Sequence, residues 1–281
     1  MGYVMSKHAL VNRLAEIRSK QPWLVMSAAK NFYLSRSDNP AISHYYSFEA
    51  NGSNEQAFAI PDGCVDILFD CDSNQPTAEV FGTPMAAIDI ELKSHHRYFG
   101  VRFAFGIVPD FLRVSAEELV EHHYQFIEVI PESNQVFESI VKQENFTDQV
   151  ALFKQFYNGQ ETRQHSSLTA QVVKTISETR GSVRVEELED LTGFSTRTIQ
   201  RQFKADLGMS PKAFSRIIRC QSAVYNINHN DQVAFSELAC DLGFSDQPHF
   251  LREFKKLVNT TPMVYQSRVK EQSYLDRIRY V

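Results

Sequence analysis

The 281-residue chain lacks long hydrophobic runs. None approaches the ~18–20 apolar residues that cross a bilayer, which excludes a helical membrane span. The stretch Met1 to Lys20 mixes charges with apolar side chains and has no signal-peptide core, so export is not expected. Cysteine is scarce. The four present (Cys64, Cys71, Cys220 and Cys240) include no CxxC pair, and the expectation is free thiols in the cytoplasm. Positive charge is also short: the net charge of −5, taken whole, argues against a nucleic-acid partner. The balance is uneven, however. Residues 1–165 hold 13 Lys/Arg and 21 Asp/Glu, net −8, whereas residues 166–281 hold 16 and 13, net +3. Hydrophobic content of 43% and aromatic content of 12% are those of a globular protein, and the length suits two domains.

What the sequence does have is a duplication in its last third. Leu188-Glu189-Asp190-Leu191-Thr192-Gly193-Phe194-Ser195 precedes Arg201-Gln202-Phe203-Lys204 and Leu207-Gly208-Met209-Ser210-Pro211. Fifty residues on, Leu238-Ala239-Cys240-Asp241-Leu242-Gly243-Phe244-Ser245 precedes Arg252-Glu253-Phe254-Lys255 and Thr260-Thr261-Pro262. Each copy reads as helix, glycine turn, second helix and a Ser/Thr-Pro helix start, the pattern of a helix-turn-helix. In the first copy Ile199 and Phe203 face inward, and Arg197, Gln200, Arg201 and Lys204 form one polar stripe. In the second, Phe250 and Phe254 face inward, leaving Gln247, His249, Arg252 and Lys256 outward. Arg matches guanine and Gln matches adenine in the major groove. The spacing therefore leaves Arg197, Gln200, Arg201, Gln247, His249 and Arg252 available to DNA. Phosphate contacts are expected from Ser195, Lys204, Ser245, Lys255 and Lys256. A long helix from Pro211 to about Tyr225 would set the distance between the two readers. Either copy alone would be weak, because an isolated Arg/Gln stripe is usually a solvated face. Two copies in register decide for double-stranded DNA.

The texture upstream differs. A short amphipathic helix is expected over 7–20. From about Trp23 to Phe105, short apolar runs alternate with turns at Ser37–Pro40, Asn51–Asn54, Pro61–Gly63 and Asp72–Pro76, as in antiparallel strands. Phe99, Val101 and Phe103 alternate with Tyr98, Gly100 and Arg102. Ser115-Ala116-Glu117-Glu118 is a capping box, and helices are expected over about 132–142 and 147–157. The polar stretch after Asn158-Gly159 reads as a linker. The fold class is therefore α+β. A β-rich, barrel-like sensor or dimerisation domain with flanking helices occupies 1–157. A linker follows at 158–166, and an all-α double helix-turn-helix domain, its modules joined by a long helix, occupies 167–281.

These motifs resemble the AraC/XylS family of bacterial transcription regulators. The clearest stretch is Gly243-Phe244-Ser245-Asp246-Gln247-Pro248-His249-Phe250, continuing through Arg252, Phe254-Lys255-Lys256, Thr261-Pro262 and Tyr265. The likeness covers roughly 167–270 and implies two helix-turn-helix modules on a long helix. It also implies that Arg197, Gln200, Arg201, Gln247, His249 and Arg252 contact bases. Two positions depart from the family pattern. Glu189 stands where a small residue is usual, so it must tilt outward or find a partner, or the first module packs less tightly. Asn259 replaces a glycine, a mild change because Asn tolerates the left-handed region. Ile60–Phe69, Phe81-Gly82-Thr83 and Phe99–Phe103 resemble, more weakly, a domain found ahead of this unit in some members, where it is taken to sense a small molecule or to dimerise.

No catalytic, cofactor or metal site is expected. His95-His96 and His122-His123 each offer at most one ligand to a common site. Asp62, Asp66 and Asp70 read as a turn and strand ends. Cys64 reads as a buried or idle thiol. Arg102 could pair an anionic effector or bridge to a surface carboxylate, and the two stand level. The expected function is a cytoplasmic, non-enzymatic DNA-binding regulator. Its expected partners are DNA, RNA polymerase, a small effector and a second copy. The alternatives are an amino-terminal domain that only pairs chains, or one with an unrecognised enzymatic activity.

Overall fold

In the computed structural model, residues 20–52, 57–158, 160, 165–230 and 232–281 are described. The helix expected over 7–20 and most of the expected linker lie outside them. Helix α1 (Pro22–Ser27) leads into strands β1 (Ala28–Arg36), β2 (Ile42–Ala50), β3 (Ala57–Ala59), β4 (Asp66–Asp70), β5 (Thr77–Phe81), β6 (Ile88–Ile90) and β7 (Arg97–Phe103). Then come α2 (Ala116–Leu119), β8 (His123–Gln125), α3 (Phe126–Val129), α4 (Asn134–Val141) and α5 (Phe146–Tyr157). The Ser115–Glu118 capping box starts α2, with both of its hydrogen bonds made. The last third holds α6 (Ser167–Glu178), α7 (Val185–Thr192), α8 (Thr196–Leu207), α9 (Pro211–His229), α10 (Phe235–Asp241), α11 (Gln247–Val258), α12 (Pro262–Glu271) and α13 (Tyr274–Arg277). The chain ends in β9 (Ile278–Tyr280).

The main sheet runs β8-β5-β4-β7-β2-β1-β9. Its neighbours are antiparallel except for β9, which pairs parallel with β1. The sheet is open, with β8 and β9 as its edges, so it is not a closed barrel among the described residues. A two-stranded ribbon of β3 and β6 lies across one face. After α13 the carboxy-terminal residues supply an edge strand of the amino-terminal sheet.

Strand alternation sends side chains to two buried faces. Tyr45, Ile67, Phe69, Phe99, Val101 and Phe103 share one apolar cluster with Phe126, Phe153 and Tyr157. Leu188, Ile199, Phe203 and Phe214 of the first helical module belong to that same cluster. Phe32, Leu34, Tyr46, Phe48, Leu68 and Tyr98 turn to the other face, with Trp23, Phe58 and Ile60. Leu238, Phe250, Phe254 and Tyr265 of the second module complete that cluster. Each fully buried large apolar side chain contributes about 1.5–3 kcal/mol, far more than an exposed ion pair. Each module is therefore held mainly by apolar packing in one of the two clusters. Both clusters run across the boundary expected at 158–166.

Candidate nucleic-acid interface

In the first module α7 ends at Gly193, whose φ of 73° a Cβ-bearing residue would resist. Ser195 then caps α8, its Oγ accepting from the Thr198 backbone N–H at 3.4 Å. Ile199, Phe203 and Leu207 are buried along the inner face of α8. Arg197, Gln200, Arg201 and Lys204 are exposed on the opposite side, and Ser195 is exposed at its start. Glu189 has found a partner: its Oε1 accepts a hydrogen bond from the Thr196 backbone N–H at the start of α8. That bond holds its carboxyl below the usual range.

The second module repeats the design. Gly243 turns the chain at φ 70°. Asp246, rather than Ser245, caps α11, accepting from the His249 backbone N–H at 2.6 Å. Phe250, Phe254 and Leu257 point inward. Ser245, Gln247, Arg252, Lys255 and Lys256 are exposed. His249 is only half-exposed. Its Nδ1 lies 3.0 Å from the Ser245 hydroxyl and its ring meets the Phe244 ring edge-on at 5.4 Å. It therefore braces the turn, leaving Nε2 as the ring nitrogen not engaged by Ser245. Asn259 ends α11 at φ 60°, the left-handed conformation that its side chain tolerates.

The α9 helix of 19 residues joins the modules and spans roughly 28 Å at 1.5 Å per residue. Two of its arginines, which sequence reasoning missed, fix the modules to it. Arg216 Nε donates to Glu253 Oε2 of α11 at 2.6 Å. Arg219 donates to the Gly181 carbonyl at 2.8 Å and lies 5.0 Å over the Phe244 ring. Neither pairing has a local sequence signal, because the partners are 37 and 38 residues away.

Arg102 lies elsewhere, inside the amino-terminal unit and fully buried. Its Nη1 is 2.8 Å from Asp62 Oδ2, and its Nε and Nη2 donate to the two oxygens of Asp66 at 3.0 and 2.5 Å. Cross-strand register places Asp66 opposite Arg102, and the Pro61–Gly63 turn delivers Asp62. The bridge to a surface carboxylate is therefore corrected: both partners are internal. An anionic effector would have to displace one of them. Tyr46 donates to Asp66 at 3.3 Å, and Gln21 to Asp62 at 2.8 Å. The adjoining cavity is about 30 Å³, room for water but not for a metabolite. Asp62 lies in the turn and Asp66 and Asp70 end β4, yet Asp62 and Asp66 converge on Arg102, while Asp70 meets His96 Nδ1 at 2.9 Å. The His95-His96 pair sits in a turn rather than on a strand. Among the described residues no three His, Cys, Asp or Glu side chains gather as a metal site. None of their helices is long and apolar enough to cross a membrane.

Residues 188–268 match a helix-turn-helix domain family. With the duplicated motif and the two capped modules, that match decides the assignment. The carboxy-terminal third is a helix-turn-helix unit of the AraC type. A domain of unknown function, DUF6597, matches residues 39–125, so the family's DNA-binding unit is joined here to a sheet domain without an assigned role. An uncharacterised HTH-type transcriptional regulator of Haemophilus influenzae is 25% identical over 127 residues, 45% of this chain and 40% of that protein. The HTH-type transcriptional activator RhaS of Escherichia coli O157:H7 is 29% identical over 80 residues, 28% of each chain. A probable AraC family transcriptional regulator from Rhodopseudomonas palustris superposes over 37% of this chain and 98% of its own, with 28% identity and a TM-score of 0.34. The sequence matches thus span well under half the length of the first two relatives.

Proposed function

We propose that the chain is a sequence-specific DNA-binding transcription regulator whose α8 and α11 enter successive major grooves. The observation that carries this reading is the repeated geometry. Two capped helices each bury an apolar face and leave Arg197, Gln200 and Arg201, or Gln247 and Arg252, in solvent. A major groove admits such a helix, and these side chains offer guanidinium and amide groups for base edges. Lys204, Lys255 and Lys256 supply phosphate contacts, with Ser195 and Ser245 at the helix starts. Occupying such a site would recruit or block RNA polymerase. Selection from a randomised duplex library tests the reading: the full chain should enrich a sequence with two half-sites, whereas recovery of unbiased sequence would contradict it.

Control by a small effector is part of the same reading, but not through Arg102. A surface groove of about 450 Å³, lined by Asp70, Lys93, Tyr98 and His123 among others, has the size of small-molecule sites. Effector candidates should be scored by their effect on affinity for the selected sequence.

A further inference from the structure

The first recognition helix carries carboxylates of its own chain at both ends. At its start, Glu189 accepts the Thr196 backbone N–H. Such N–H groups, with the helix dipole behind them, also bind phosphate. Towards its other end, Lys204 Nζ lies 2.8 Å from Glu117 Oε1 of α2. Close backbone packing brings α2 there: a Cβ on Gly208, which ends α8, would stand 2.2 Å from the Ala116 carbonyl oxygen. Glu117 is the next residue. Both members of the ion pair are exposed, Lys204 at 57% and Glu117 at 68%, so a competing anion can reach them.

The second module is built differently. The position of Glu189 is taken there by Ala239, which is buried. Lys255 and Lys256 are exposed, and among the described residues neither forms an ion pair.

We propose that Glu117 and Glu189 stand in for DNA phosphates on α8, so that the second module docks first and the first module engages a duplex by displacing them. The proposal rests on the reading of α8 and α11 as DNA-binding helices. The exchange is feasible because exposed ion pairs are weak. It still disfavours the first module, since a displaced carboxylate is left beside the phosphate that replaces it. Non-specific contacts then come mainly from α11, and α8 engages fully where its base contacts offset the exchange.

The test uses the full chain and a labelled random-sequence duplex several turns long, with affinity measured across a salt series. Glu117→Gln should tighten binding about two- to fivefold at low salt, with the gain shrinking as salt screens the pair. Adding Lys204→Ala should abolish that gain. Glu189→Gln keeps an acceptor for Thr196 and removes the charge. It should tighten binding over a similar range, additively with Glu117→Gln because the two ends share no partner. No tightening in either Gln variant would overturn the proposal. So would a Glu117→Gln gain that persists unchanged without Lys204, since that would reflect only long-range charge. If Lys204→Ala fails to weaken binding even in the Glu117→Gln chain, Lys204 is not a phosphate ligand, and the assignment of α8 as a phosphate-contacting helix falls together with the proposal.

Discussion

Gln221, buried on the long helix α9, donates through Nε2 to the carbonyl oxygen of Pro61 at 2.7 Å. This bond ties the helix that spaces the two modules to the turn that carries Asp62. Its Oε1 has no hydrogen-bond partner among the described residues, so the side chain serves through its NH2 alone. Gln221→Ala leaves a buried carbonyl without a donor, which costs about 1–3 kcal/mol. The expected outcome is that loss in denaturant unfolding, with faster amide exchange around residues 60–64. Unchanged stability and exchange would show that apolar packing alone seats α9.

Two carboxylates share one buried guanidinium, and the sharing has a pH signature. Burial pushes the Asp62 carboxyl up to about 6, with Arg102 working against the rise and Asp66 adding to it. In the unfolded chain it returns to 3.8. The folded state therefore holds the extra proton between those values. This group's stabilisation is complete below about pH 4 and is lost as pH rises through about 6. Unfolding free energies of the wild type and Asp62→Asn should show it: the wild-type advantage falls across that window, and an advantage that rises instead would contradict the account. Arg102→Met strands both carboxylates and should cost about 3–5 kcal/mol.

Glu189 makes the start of α8 depend on a side chain from the preceding helix. Glu189→Ala should speed exchange of the Thr196 amide, while Glu189→Gln should leave exchange near the wild-type rate. Because the hydrogen bond holds the carboxyl below its usual range, its contribution is present above about pH 4.5 and is lost on further acidification. Equal exchange in all three proteins would mean that Ser195 alone caps the helix.

Base and phosphate contacts separate by their effect on specificity. Arg201→Ala and Arg252→Ala should each weaken binding to the selected site by about 1–3 kcal/mol and relax one base position. Lys256→Ala should weaken all sequences alike and flatten the salt dependence. Measuring each variant on the selected and a random duplex checks this. An Arg201→Ala chain with unchanged base preference would mean that α8 is turned the wrong way.

The helical modules were legible because their signals are local. The glycine turns at Gly193 and Gly243, the Ser195 cap and the apolar periodicity of Ile199 and Phe203 all lie within a few residues of what they determine. The alternation of Phe99, Val101 and Phe103 likewise foretold one face of the sheet. Long-range pairings were not legible. Nothing near Glu117 announces Lys204, and nothing near Asp62 announces Arg102, because strand register and helix docking bring them together. The tail was missed for the same reason: Ile278–Tyr280 becomes a strand only because β1 offers it an unpaired edge. Among the described residues β8 and β9 end the sheet without pairing with each other, so the expected barrel-like closure is not seen there.

The most direct test of the central claim is the spacing between half-sites. Two recognition helices on one rigid connector should occupy grooves about 34 Å apart, one helical turn. The measurement is the affinity of the full chain for its selected duplex before and after inserting half a helical turn, then a whole turn, between the half-sites. The account predicts a large loss with both insertions: half a turn puts the second groove on the opposite face, and a whole turn carries it beyond the reach of α11. Affinity unchanged by either insertion would show that a single module reads the DNA and would contradict the account.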